Sequence, residues 1–126
     1  MKKWKFVVPL YDIDVTLLQV ESVDDADAVR KHCEEIGLLT EDTDAVLDVI
    51  KSDKHDGANT FRNFEKGQML VIFYRMTSGR IKINRYGHEK RHVEDRILQW
   101  CGVDDIEAAA YLAGFLSEQF NDLYLK

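Results

Sequence analysis

Gln68 to Met76, QMLVIFYRM, restricts the fold more than any other stretch of this chain. A strand with one wet face alternates apolar and polar side chains. This stretch is an almost unbroken apolar run, which implies burial on both faces and hence a central strand. Thr77 to Gly79 ends it. The chain around it has 126 residues, 45% of them hydrophobic, which suits one domain (1–126) with a real core.

The rest of the chain supplies neighbours for that strand. Lys5 to Tyr11 reads as a strand, with Pro9 placing it at an edge or a bulge. Asp14 to Glu21 is β-branched and apolar and reads as a second strand, with Asp12 and Asp14 marking the turn. Ser22 is a helix N-cap with Asp25 as its capping-box partner. The helix runs from about Val23 to Ile36, buries Ala26, Val29, Cys33 and Ile36, and stops at Gly37. Thr40 or Thr43 caps a shorter helix, Glu41 to Lys51, that buries Ala45, Val46, Val49 and Ile50. Ser52 to Asn59 is a loop on composition. Thr60 to Glu65 reads as a strand, and Lys66-Gly67 as a tight turn into the central strand.

Ile81 and Ile83 fit either a strand or the start of a helix. The helix is placed from about Lys82 to Cys101, ended by Gly102. Asp104 then caps a last helix, Asp105 to Tyr124. The order β-β-α-α-β-β-α-α is an α+β pattern with a small mixed or antiparallel sheet.

The helix after the central strand carries His88-Glu89-Lys90-Arg91-His92, a match to H-E-x-x-H. Residues four apart share a helix face, so both imidazoles can reach one metal ion. Glu89 then sits over a metal-bound water as a base. Stepping about 100° per residue puts His88, His92, Asp95 and Gln99 on one face. Tyr86, Val93, Ile97 and Trp100 fall opposite and form the packing face. Lys90 and Arg91 are expected in solvent. On the last helix a stripe of Glu107, Tyr111, Gly114 and Glu118 interrupts an otherwise apolar surface. A short turn at Gly102-Val103 would bring it back against the histidines. Glu107 is the candidate third ligand, and Tyr111 is within reach of substrate. Each has a plainer role: Glu107 as a residue reaching back to the Asp104 cap, Tyr111 as a half-buried core tyrosine. His88 and His92 could equally be a chance pair on an amphipathic helix.

With Glu107-Ala-Ala-Ala-Tyr111 downstream, H-E-x-x-H resembles the gluzincin branch of zinc metallopeptidases. It is most similar to the small single-domain gluzincin-like proteins of bacteriophage and mobile elements. The resemblance covers roughly Gln68 to Tyr124. It implies a zincin-like fold, zinc held by His88, His92 and Glu107, and Glu89 as the general base of peptide hydrolysis. Tyr111, one turn beyond Glu107, is the further catalytic candidate on helix position alone. Lys90 and Arg91 occupy positions that are usually uncharged in that family. A peptide or protein substrate is implied, and the edge strand Thr60 to Glu65 could accept it by strand addition. The competing expectation is a non-catalytic structural or interaction protein of a mobile element, with the metal kept for stability or lost.

Composition narrows the partners. A formal net charge of −6 gives no electrostatic footprint for nucleic acid. No stretch is expected to span a membrane, and the lysine-led start is too interrupted for a secretory signal. The two cysteines, Cys33 and Cys101, form no C-x-x-C pair and suit reduced thiols in a cytoplasmic protein.

Overall fold

The computed structural model describes all 126 residues. Strands β1 (Lys2–Val8) and β2 (Ile13–Gln19) are followed by helices α1 (Ala26–Ile36) and α2 (Thr40–Lys51). Strands β3 (Ala58–Asn63) and β4 (Gln68–Phe73) lead into α3 (Gly79–Cys101) and α4 (Ile106–Leu125). This is the α+β order that the sequence implies. The sheet is mixed, in the order β1-β2-β4-β3. β2 and β4 pair in parallel, and each is flanked by its antiparallel hairpin partner.

β4 is the central strand its composition requires, because its alternate residues feed two separate cores. Met69, Val71 and Phe73 pack with Val15 and Leu17 beneath α3 and α4. Leu70, Ile72 and Tyr74 pack with Leu18 and Val20 beneath α1 and α2. Each such buried side chain stabilises the fold by about 1.5–3 kcal/mol. On this scaffold α3 lies against β3 and β4, and α4 against β1 and β2. No helix is long and apolar enough to cross a membrane.

The helix ends follow local chemistry. The Asp25 carboxylate accepts from the amides of Glu21 (2.8 Å) and Ser22 (3.0 Å), completing the box at the start of the first helical segment. A short 3-10 turn, Val23–Asp25, precedes α1 there. Burial works against that carboxylate, but these hydrogen bonds outweigh it and hold its pKa below the ordinary value. Gly37 and Gly102 take left-handed φ angles of 78° and 66° and close α1 and α3.

Several expectations need correction. β1 ends at Val8, so Pro9 lies in the following turn and not within the strand. α2 has no threonine cap: it begins after Leu39, and Thr43 is buried. Its buried face is Thr43, Val46, Leu47 and Ile50, leaving Ala45 exposed. Asp105, not Asp104, caps α4, its Oδ1 accepting from the Ala108 amide at 3.0 Å. On α3, Val93 and Ile97 are fully buried as expected, but Trp100 is 60% exposed and rests on Phe64 at 5.2 Å between ring centroids. Arg91 is exposed beside Asp95, whereas Lys90 folds down onto Glu94 and is largely covered.

Candidate metal centre

α3 is long because Ser78 caps it through the Ile81 amide and nothing breaks it before Gly102. His88 and His92 stand one turn apart on its exposed side. Their rings meet nearly edge to face, with Nε2 atoms 3.1 Å apart. Two nitrogen donors on a tetrahedral zinc lie about 3.3 Å apart, given bonds of about 2.0–2.1 Å. Nitrogens at the observed distance share either a proton or a metal ion.

Glu89 completes the cluster. It is 5% exposed, because α3 crosses β3 on the side where this residue points. Its Oε1 accepts from the Thr60 hydroxyl at 3.3 Å, and its Oε2 lies 3.7 Å from His88 Nε2. Donor atoms of His88, Glu89 and His92 all fall within 4.8 Å of one another. No lysine or arginine reaches the Glu89 carboxylate; the only basic group beside it is the His88 ring.

These residues open onto a hollow of about 270 Å³ between α3 and β3. Ala58, Asn59 and Thr60 form its β3 wall, and Arg96 lines it one turn beyond His92. The Asn59 side chain turns to the other face of the sheet, where the Tyr74 hydroxyl donates to its Oδ1 at 2.6 Å. Burial pushes the Tyr74 phenol well above its ordinary range, so it stays a donor at neutral pH. Arg96 is exposed and makes no ion pair.

The other two expected site residues are elsewhere. Glu107 and Tyr111 line a separate hollow, against the β1–β2 turn on the outer side of α4. Glu107 is exposed, and Tyr111 is 79% exposed, neither core nor beside the histidines. The physical reason is the placement of the two helices. The histidine face of α3 opens over β3, and the Glu107 stripe of α4 opens over the far edge of the sheet at β1. His32 and His55 also stand apart, facing Glu35 and Asp53 at 3.8 and 3.9 Å.

Thr60 and Arg96 are the site residues that sequence reasoning missed. Arg96 lies four positions beyond His92 and was visible as a neighbour on the helix face. Thr60 carried no local signal, since its role depends on which strand α3 crosses. No protein-family model matches the chain, and no curated protein or solved structure matches it either.

Proposed function

We propose that this protein hydrolyses peptide bonds with one zinc ion held by His88 and His92, and with Glu89 as the group that moves protons. The observation that carries this reading is the state of Glu89. It is a buried carboxylate with one hydroxyl donor and no lysine or arginine partner, beside two converging imidazoles. Burying an unpaired carboxylate costs several kcal/mol, and a dication at the imidazole pair offsets that cost. Zinc suits the paired imidazole nitrogens, which leave its other positions open.

When bound, zinc acidifies water and polarises a carbonyl group. The chain's own residues supply the rest. The Thr60 hydroxyl holds Oε1 of Glu89, which leaves Oε2 turned toward the histidines to take a proton and return it to a leaving amine. Arg96 offers donors to a substrate carbonyl, and the exposed edge of β3 offers backbone groups to an extended peptide. The match to H-E-x-x-H supports a zincin-like reading of these three positions; Glu107, the glutamate ligand that the gluzincin branch would require, lines a separate hollow.

A second reading rests on the absence of Glu107 from this hollow. Glu89 is then the only carboxylate beside the histidines and serves as a third metal donor. The site in that case is non-catalytic, kept for stability or for binding a partner.

Metal analysis and one substitution separate the two. Protein purified without added zinc is expected to carry about one zinc per chain, lost in His88→Ala and in His92→Ala. In the hydrolase, Glu89→Gln retains zinc while hydrolysis of an unstructured protein falls by about 10²-fold or more. In the non-catalytic site, Glu89→Gln loses zinc and neither protein hydrolyses anything. A parent protein that takes up no zinc refutes both readings.

A further inference from the structure

Glu107 and Tyr111 belong to a second feature, which stands independently of the metal reading. They line a hollow of about 530 Å³ whose floor is Val8, Leu112 and Phe115. Its outer lip is the β1–β2 turn, with Pro9, Leu10 and Tyr11. Leu10 is 100% exposed and holds a φ of 71°, and Asp12 in the same turn holds 53°. A left-handed conformation costs a leucine about 1–3 kcal/mol, and full hydration of its side chain adds to that cost. Local structure therefore gains nothing by presenting Leu10 this way. Tyr111 faces it across the hollow, 79% exposed.

The charge around this apolar surface has one sign. Asp105 and Glu107 line it, Asp12 and Asp104 adjoin it in the chain, and no lysine or arginine lines it. Glu107 has no ion-pair partner, and the chain as a whole carries −6. A second copy docked about a twofold axis would set this acidic rim against itself. An anionic membrane surface would meet the same repulsion. A basic segment would instead have its charges met at the rim while its apolar side chains fill the floor. We propose that the hollow between the β1–β2 turn and α4 docks a basic segment of a partner protein, anchored by apolar side chains against Leu10 and Tyr111.

A synthetic amphipathic helix of leucines and lysines is the probe, with a counterpart bearing glutamate in place of lysine. Titration into the full-length protein, followed by backbone amide chemical shifts, is expected to move residues 10–12 and 107–115 with the basic peptide only. Affinity should fall as salt rises. Leu10→Gly, Tyr111→Ser and Glu107→Lys should each weaken binding by about tenfold or more, the usual worth of an anchor residue. Ile83→Ser, at an exposed isoleucine on α3, should leave it unchanged. Leu10→Gly keeps the fold, because glycine adopts the positive φ freely. Equal binding of both peptides, shifts centred elsewhere, or undiminished affinity in Leu10→Gly overturns the proposal. Concentration-dependent dimerisation through residues 9–12 overturns it in favour of a second copy. Shifts there with vesicles of anionic phospholipid, and none with the basic peptide, overturn it in favour of a membrane.

Discussion

Glu89 and Glu94 lie on the same helix, each 5% exposed, and their surroundings differ in kind. Glu94 has Lys90 one turn back, an ion pair closed within α3 itself. Glu89 has a threonine hydroxyl from β3 and an imidazole pair at the surface. One buried charge is neutralised inside the chain. The other has no lysine or arginine beside it. A charge that stabilised only the fold would follow the first pattern, since an uncompensated buried carboxylate costs stability. The contrast therefore separates a carboxylate paired with a lysine inside the helix from one whose neighbours are a hydroxyl and a histidine ring, within two turns of one helix.

Four substitutions test that contrast. The largest effect is expected at the paired residue. Lys90→Ala strands Glu94 and should lower the unfolding free energy by about 2 kcal/mol, less than for a fully buried pair because Lys90 keeps some exposure. Denaturant midpoints at unchanged m-value measure it. Zinc affinity should not change, since Lys90 is engaged away from the histidines. A large gain in affinity would mean that Lys90 repels the metal and would undo the division drawn here.

Next in size is Thr60→Val. It removes the only hydroxyl on Glu89 while keeping the β-branched shape that a strand favours. Zinc affinity should drop by about tenfold, the low end of what a supporting hydrogen bond to a metal site contributes. Competition against a chromophoric chelator reads this out, and unchanged affinity would show that Thr60 does not orient the carboxylate.

The smallest effect is the most diagnostic. In metal-free protein, Glu89→Gln should leave stability unchanged or raise it by up to about 1 kcal/mol, because it deletes a buried charge with no lysine or arginine partner while keeping an acceptor for the Thr60 hydroxyl. Glu94→Gln, by the same physics, should cost stability. Equal losses from both in thermal unfolding would erase the distinction between the two carboxylates.

The sequence disclosed much of this arrangement, though unevenly. The β4 run identified the central strand because burial on both faces leaves a composition that nothing else explains. Gly37, Gly102 and the Ser22–Asp25 box marked helix ends because caps are local chemistry. The solvent-facing histidines followed from the angular position of Val93 and Ile97. A helical wheel does not say where the supporting layer ends, so Trp100 was assigned to the core although it rests on Phe64 at the surface. Nor does it say which way a face opens once the helix is set across a sheet. Glu107 was expected to meet the histidines for that reason, yet its helix lies over β1 and β2 while α3 lies over β3 and β4. Glu94 was overlooked because nothing in its own position distinguishes a buried acid; the information lay in Lys90, four residues earlier.

The single parallel pairing in the sheet bears on how the molecule assembles. β1–β2 and β3–β4 are hairpins whose turns close over a few residues, whereas every β4 residue lies 54 positions after its β2 partner, as Gln68 does after Asp14. Closing that longer loop costs about 2 kcal/mol more chain entropy than closing a hairpin. The seam is therefore the most non-local strand pairing of the sheet, and it joins the two halves of the chain. Thr60, His88, Glu89 and His92 all lie after the seam crossing, on β3 and α3, and come together within one continuous stretch. The hollow that holds Leu10 and Tyr111 draws one wall from each end of the chain and exists only once the seam has closed.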